Sequence, residues 1–146
     1  MVIDKGSDGE PQAVGSPIGF RLDPSSGVPT YRQLVHQVEQ ALRLGYLQEG
    51  DRLPTVKEAV EPLAINPNTV LKAYRELEHE GLVQARPGRG TFVTRTLTDN
   101  TLAAHGPLRQ DLVRWLAKAR KAGLDEESIE ALFLTTFRSA ASEEIA

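Results

Sequence analysis

The residues best suited to chemistry lie between Lys57 and Arg89, and they offer hydrogen-bond donors and cations rather than a catalytic set. Asn68 can form paired hydrogen bonds with adenine, and Leu71 can contact the methyl group of thymine. Lysine and arginine side chains neutralise phosphates without reading sequence. Arg89 lies between two glycines, and an arginine at such a turn can enter a narrow minor groove. These residue types predict a DNA-binding surface, formed by Lys57, Asn68, Thr69, Leu71, Lys72, Arg75, Arg86 and Arg89.

Each of these residues also has a purely structural interpretation, which the sequence leaves open. Arg75 can pair with Glu78, because residues three or four apart are neighbours on a helix surface. Lys72 can pair with Glu76 for the same reason. A plain helical or solvated-turn position, without a DNA contact, is the alternative for Thr69, Arg86 and Arg89.

Two short helices and a hairpin are predicted to position these groups. Thr55 and Glu58 have the spacing of a capping box at the start of the first helix. Asn66-Pro67 supplies the N-cap and the first residue of the second helix, whose apolar residues recur at helical spacing until Gly81 ends it. Residues 82–86 and 91–94 flank a Pro-Gly-Arg-Gly turn, which is typical of a hairpin. The pattern predicts a winged helix-turn-helix.

An upstream helix is predicted to complete the core of this domain. Thr30 and Gln33 have the spacing of a second capping box, and one apolar stripe follows them until Gly45. Residues 20–23 are expected to form a short strand. Residues 1–18 are rich in glycine, proline, serine and acids, so we expect them not to fold. They are either an expression remnant or a functional arm.

The net charge of −3 conceals a division along the chain. Residues 1–18 carry one lysine and three acids, and residues 97–146 carry six cations and eight acids. Residues 19–96 carry ten cations and nine acids, so the only positive segment contains the predicted DNA-binding residues. The distribution of charge matters more for nucleic-acid binding than the total, and the pattern is therefore compatible with a DNA-binding protein.

Composition excludes several other classes of protein. The 146 residues include no cysteine, which rules out disulfides and thiolate metal sites. The three histidines lack ligand-like spacing and no catalytic constellation is present, so we expect no metal, no other cofactor and no enzymatic activity. No apolar run is long enough to cross a bilayer, and the N-terminus lacks a signal-peptide pattern. We therefore expect a soluble, cytoplasmic protein.

Residues 96–106 are predicted to be a linker, and residues 107–146 a pair of helices. Gly106-Pro107 is typical of a helix start, and the second helix is expected to begin near Asp125. Two such helices leave part of their apolar stripes uncovered, so we expect a second copy of the chain to cover them. Packing onto the upstream domain and a ligand pocket lined by aromatic residues are the alternatives. The expected dimerisation residues are Leu108, Leu112, Trp115, Leu116, Ile129, Leu132, Phe133 and Phe137.

The order of residues from Gly50 to Val93 resembles the amino-terminal winged-helix domain of the GntR (gluconate-repressor) family of bacterial transcription regulators. The similarity lies in the segments GDRLPT, AIN, NTV, YRELE, EGLV and RPGRGTFV, and it extends upstream to Pro29–Tyr31. The length and helical pattern of the tail are similar to those of the YtrA-type subfamily. The resemblance to this subfamily implies that the tail mediates dimerisation.

The resemblance also implies which residues contact DNA, with three departures from the family pattern. Lys57, Pro67 and Leu71 stand where the family commonly has arginine. Lysine cannot reproduce the two-pronged hydrogen bonding of arginine, so the operator sequence does not carry over from relatives. The positions that correspond to DNA contacts of the family are Lys57, Asn66, Pro67, Asn68, Thr69, Leu71, Arg86, Gly88, Arg89 and Gly90.

Together these observations predict a mostly α-helical protein, with a winged helix-turn-helix domain over residues 19–95 and a two-helix dimerisation tail. Its expected function is sequence-specific regulation of transcription, as a repressor that binds an inverted-repeat operator in duplex DNA as a homodimer. The resemblance alone implies a small-molecule effector, whose identity the sequence does not indicate. A winged helix that binds proteins and not DNA is the rival hypothesis.

Overall fold

A computed structural model of the chain describes residues 15–97 and 102–145. Its seven elements are α1 (Thr30–Leu44), α2 (Val56–Leu63), α3 (Pro67–His79), β1 (Val83–Arg86), β2 (Gly90–Val93), α4 (Leu102–Lys121) and α5 (Glu126–Ile145). The chain divides between Leu102 and Ala103 into two compact units, called here the reader unit and the tail unit. Three helices and a two-stranded antiparallel hairpin make up the reader unit, which confirms the predicted winged helix-turn-helix.

The reader unit encloses a single apolar core. The helices α1 and α3 share its centre, and α2 and β1 also pack against α3. Leu34, Leu42 and Leu77 are fully buried there. On α3, the inward residues are Val70, Ala73, Tyr74 and Leu77, as the helical spacing predicts. Because this side of α3 is committed to the core, its other side is left to face outward.

Local interactions define the ends of α2 and α3. The Thr55 hydroxyl accepts the Glu58 N–H (3.1 Å) and the Glu58 carboxylate accepts the Thr55 N–H (2.9 Å), which confirms this capping box. At the C-terminus of α3, Gly81 adopts a left-handed conformation (φ 81°). The Leu82 N–H then donates to the Leu77 carbonyl at 3.0 Å, a bond typical of helices that end in glycine.

The hairpin pairs Val83 with Val93 and Arg86 with Gly90. A bridge between Arg52 and Phe92 extends this pairing to the segment before α2. The Leu53 N–H donates to the Thr91 carbonyl and the Val93 N–H to the Asp51 carbonyl, at 2.9 and 2.8 Å. The wing is therefore fixed at its base by backbone hydrogen bonds to the chain that leads into α2.

The tail unit is an α-helical hairpin. Gly123 (φ 100°) ends α4, and the Leu124 N–H donates to the Ala119 carbonyl. Asp125 accepts the Ser128 N–H at 2.8 Å, so α5 begins where the sequence predicts it. The Arg120 guanidinium donates two hydrogen bonds to the Glu126 carboxylate, across the turn. Among the described residues, no helix combines the length and the hydropathy that a bilayer span requires.

The structure corrects two expectations for the segment that precedes α1. Residues 20–23 form no strand, because the Gln37 side chain occupies both backbone groups of Arg21 (2.9 and 2.6 Å). The predicted Thr30–Gln33 capping box is wrong, since Pro29 is the N-cap of α1 and the Gln33 amide bonds Asp23, Ser26 and Val28 instead. Both glutamines hold this extended segment against α1.

Two predicted boundaries also change. The segment predicted not to fold, 1–18, lies outside the described residues up to 14, but Ile18 packs against the core together with Phe20 and Leu22. These three residues alternate along an extended chain, so they share one face. The helix expected to start at Pro107, after a linker over 96–106, begins at Leu102. Pro107 lies inside this helix, where it cannot donate a hydrogen bond to the Ala103 carbonyl, and the helix nevertheless continues through it.

Candidate nucleic-acid interface

The N-terminus of α3 is built on Asn66. Its side-chain oxygen accepts the Asn68 N–H at 2.8 Å, and its carbonyl accepts the Thr69 N–H at 2.9 Å. The N-cap role of Asn66 is thereby confirmed, and Pro67 occupies the first helical position. The Asn68 side chain itself makes no hydrogen bond within the parts of the chain that the structure describes, and it is exposed. It is free to meet a base edge.

The outward side of α3 presents donors, cations and one apolar residue. Leu71 is 39% exposed, whereas Val70 and Ala73 of the same helix are buried. Lys72 and Arg75 are exposed on the same side as Leu71. An exposed leucine among donors is compatible with contact to a thymine methyl group, as the residue type predicts.

The ion pairs considered for this helix are not formed. Glu76 pairs with Arg32 of α1 rather than with Lys72, and the Glu78 carboxylate accepts the Ala85 N–H of β1 at 3.3 Å. Within residues 15–97 and 102–145, Arg75 has no ion-pair partner. The structure therefore leaves both cations of α3 without a carboxylate partner on their own helix.

The tip of the wing is a tight turn that exposes Arg89. The Arg89 N–H donates to the Arg86 carbonyl at 2.9 Å, and Gly88 has a φ of 75° that favours glycine. The Arg86 guanidinium lies 4.9 Å from the centre of the Phe92 ring, so a cation–π contact restrains it. Arg89 has no ion-pair or ring partner among the described residues and extends into solvent.

Arg52 is a cation of this surface that the sequence reasoning missed. Its guanidinium lies 3.5 Å from the Glu58 carboxylate, and its side chain is 18% exposed. Arg52, Arg86 and Arg89 line one groove of about 770 Å³ beside the wing, together with the carboxylates of Asp51 and Glu58. Arg52 belongs to the GDRLPT segment of the sequence, but only its pairing with Phe92 places it at the wing.

The electrostatics near this groove follow from helix capping and burial. The Thr55 N–H, followed by Arg52, holds the pKa of the Glu58 carboxyl below its ordinary value although burial opposes this. The Tyr74 hydroxyl donates to the Pro54 carbonyl, and burial raises the pKa of this phenol. Glu58 is therefore charged and Tyr74 neutral near pH 7, so both hydrogen bonds that position α2 and α3 persist there.

Lys57 lies on the exposed side of α2, where its ammonium is 3.9 Å from the Glu61 carboxylate. Since both side chains are mostly exposed, this pair is weak and the lysine remains available to a phosphate. The reader unit thus carries every candidate DNA-contact residue, on α2, at the start and outward side of α3, and in the wing. Their individual contacts with DNA stay predictions.

The tail unit carries the residues predicted to dimerise. The Trp115 and Phe133 rings contact each other across the two helices, with centroids 6.5 Å apart, and Phe137 stacks on Phe133. Ile129 is buried, and Trp115 and Leu116 are half-buried. The others remain exposed, up to 68% for Leu108 and 63% for Phe137. Six large apolar residues of the tail unit therefore face solvent in the single chain, and they are called here its apolar face: Leu108, Leu112, Val113, Leu132, Phe133 and Phe137.

Comparison with known proteins identifies a family for these features. Residues 30–93 match the family described as bacterial regulatory proteins, gntR family. The chain is 34% identical over 114 residues to the HTH-type transcriptional repressor YtrA of Bacillus subtilis, covering 75% of this chain and 85% of that protein. It is 44% identical over 86 residues to the HTH-type transcriptional regulator Rv1152 of Mycobacterium tuberculosis, covering 58% of this chain and 71% of that protein.

A solved structure is similar to this chain over most of its length. The crystal structure of a transcriptional antiterminator from Listeria monocytogenes matches with a TM-score of 0.51 and 30% identity. The match covers 83% of this chain and 91% of that one, so it includes part of the tail unit as well as the reader unit. The similarity therefore extends beyond the winged helix.

Proposed function

The chain belongs to the GntR family of bacterial regulatory proteins and is a DNA-binding transcription regulator, and on this premise we propose that it is a repressor that binds an inverted-repeat operator as a homodimer. The outward side of α3 is the observation that carries the proposal, because its two cations have no carboxylate partner on their own helix and lie in the same unit as an arginine-tipped wing. Asn68 and Leu71 read bases in the major groove, Arg89 enters the minor groove, and Lys57 and Arg75 neutralise phosphates. The activity is binding alone, without catalysis.

Dimerisation is supported by the exposed apolar face of the tail unit. Exposed leucines and phenylalanines on the same pair of helices favour association with a complementary surface, and a second copy of the chain supplies one by symmetry. Two reader units related by a two-fold axis would present their recognition helices to half-sites about one DNA turn apart, or a multiple of it. An inverted-repeat operator follows from this symmetry.

The name of one relative supports a role in repression. The Bacillus subtilis protein that is 34% identical to this chain is named a transcriptional repressor. As a regulator that acts on the bacterial chromosome, the protein would work in the cytoplasm. The described residues offer no support for a small-molecule effector, so none is included in the proposal.

Selection of duplexes from a random pool by the full chain tests the proposal. We expect enrichment of two half-sites in inverted orientation, bound by two protomers. The logarithm of the affinity should fall linearly with the logarithm of the salt concentration, with a slope of about −0.9 for each phosphate contacted. A selection that enriches no duplex, or an affinity that does not depend on salt, would favour the protein-interaction hypothesis instead.

A second test compares Arg89→Ala, in the wing, with Arg43→Ala as its matched control. Arg43 is an exposed cation in the last turn of α1, outside the candidate interface. It changes the net charge as much as Arg89→Ala does. We expect Arg89→Ala to weaken binding to all duplexes, most of all at A/T-rich flanks, and Arg43→Ala to weaken it far less. Equal losses of affinity in the two variants would show that the total charge of the protein, rather than the position of Arg89 in the wing, determines the affinity.

A further inference from the structure

A second polar cavity of the reader unit lies at the N-terminal ends of α1 and α3. This cavity, called here the α1–α3 cleft, has a volume of about 420 Å³ and is lined by Thr30, Tyr31, Asn66, Asn68, Thr69 and Lys72. Its lining residues supply hydroxyls, side-chain amides and one ammonium, and none of them is a carboxylate. A cleft of donors with a single positive charge suits an anionic oxygen group.

Lys72 contacts an aromatic ring beside this cleft. Its ammonium lies 4.1 Å from the centre of the Tyr31 ring, which is close enough for a cation–π contact. Tyr31 is half-buried and packs against the core, so the ring has a fixed position. The contact therefore holds the lysine at the end of α3 that enters the cleft, although its side chain is otherwise exposed.

Arg32 follows Tyr31 on α1, and it pairs with the carboxylate that could otherwise neutralise Lys72. Glu76 is four residues after Lys72 on α3, at the spacing that favours an ion pair. The Arg32 guanidinium pairs with Glu76 instead, 44 residues away in sequence. Consecutive residues of α1 thus keep the Lys72 charge unneutralised and hold it in place.

We propose that the α1–α3 cleft binds a phosphate of the operator backbone, and that Tyr31 acts as a positioning residue that holds Lys72 for this contact. The proposal rests on the proposed orientation of α3 against DNA. It gives α1 a role in DNA binding, in addition to the roles of the base-reading residues and of the wing. The phosphate contact fixes how far α3 lies along the groove and carries no sequence preference of its own.

The first test is Lys72→Ala in the full chain, with the duplex obtained by selection. We expect a salt slope that is shallower by about 0.9 for each protomer, with an unchanged base preference. The control is Arg43→Ala, which also removes one positive charge but lies in the last turn of α1, outside the candidate interface. It should leave the salt slope unchanged. A Lys72→Ala slope equal to that of the unsubstituted protein would overturn the cleft as a phosphate site.

The second test separates the ring of Tyr31 from its hydroxyl. Tyr31→Leu should lower the affinity by about two- to fivefold for each protomer, and Tyr31→Phe should retain it, because a phenylalanine ring still attracts the ammonium. In the Lys72→Ala background, Tyr31→Leu should have no further effect. An equal loss in both backgrounds, or a Tyr31→Phe protein as weak as Tyr31→Leu, would show that Tyr31 does not act through Lys72.

A measurement without DNA guards against loss of folding in Tyr31→Leu. The ring should shift the NMR signals of the Lys72 ε-methylene protons upfield in the unsubstituted protein and in Tyr31→Phe. Signals at unshifted positions would overturn the positioning role, whether or not Tyr31→Leu folds. If the unsubstituted protein binds no duplex, the proposed function fails. If it binds and Lys72→Ala leaves the slope intact, only the cleft is wrong.

Discussion

The reader unit and the tail unit bury their apolar residues to very different extents. In the described part of the reader unit, fifteen apolar residues are buried in one cluster, and Leu34, Leu42 and Leu77 have no exposed surface. In the described part of the tail unit, only Ala119 and Ile129 are buried, whereas Leu108 and Phe137 are more than 60% exposed. A helix with several neighbours can bury its stripe completely, and a helix with one neighbour cannot. The reader unit is therefore complete in itself, and the tail unit is not.

The largest expected effect contrasts one leucine from each unit. Leu77→Ala should lower the free energy of unfolding by about 2–5 kcal/mol, because it leaves a cavity in a closed core. Leu108→Ala should change it by less than about 0.5 kcal/mol in the monomer, since the side chain is already in water. Urea unfolding followed by circular dichroism, at a concentration where the protein is monomeric, measures both. Comparable losses would break the comparison, because the tail unit would then bury Leu108.

Self-association tests what covers the apolar face of the tail unit. Phe137→Asp should weaken the dimer by about 30-fold or more, a loss of about 2 kcal/mol that is typical of a central aromatic residue at an interface. The neighbouring Arg138→Ala, which removes an exposed polar residue, is the matched control. Sedimentation velocity over a range of concentrations gives the dissociation constants. A chain truncated after Arg95 that remains dimeric would remove the tail unit from this role.

Base reading can be separated from folding on the outward side of α3. Asn68→Ala should cost about 1–3 kcal/mol of binding to the selected operator and relax the preference at one base pair. Its thermal stability should stay the same, because the N-cap hydrogen bond uses the Asn68 backbone and not its side chain. Binding to operator variants at a fixed salt concentration measures the effect. Unchanged affinity and unchanged preference together would contradict direct reading by Asn68.

The smallest expected effect concerns the cap of α2, and it depends on pH. Thr55→Ala should destabilise the reader unit by about 1 kcal/mol at neutral pH. The pKa of Glu58 is lowered in the folded protein, so its stabilising contribution is complete above the pKa of the unfolded glutamate, about 4.3. That contribution is lost as the pH falls through the lower pKa of the folded state.

The matched variant for this pH dependence is Glu58→Gln. A glutamine can still accept the Thr55 N–H but does not titrate. We expect the difference in stability between the unsubstituted protein and Glu58→Gln to shrink as the pH falls below about 4, measured by denaturant unfolding across the acidic range. A difference that stays constant over this range would show that the charge of Glu58 contributes nothing to the cap.

The sequence by itself determined the elements whose signals are local. Thr55 and Glu58 cap a helix from three residues apart, Asn66 caps α3 from two, and Gly81 and Gly123 end helices through their left-handed conformation. Each of these interactions forms between neighbours along the chain, so residue type and spacing predicted it. The same spacing failed at Thr30 and Gln33, because the Gln33 side chain bonds the segment before α1 instead. The apolar spacing on α3 likewise separated its buried side from its outward side, and with it the candidate DNA-contact residues.

Only the tertiary structure decided the interactions between residues that are distant in sequence. Glu76 pairs with Arg32 rather than with its helical neighbour, and Lys72 contacts the Tyr31 ring. Gln37 takes the backbone bonds that a strand at residues 20–23 would have needed. In each case a locally sensible partner loses to one that the packing of α1 brings closer, and sequence spacing carries no information about such a neighbour until the helices are placed.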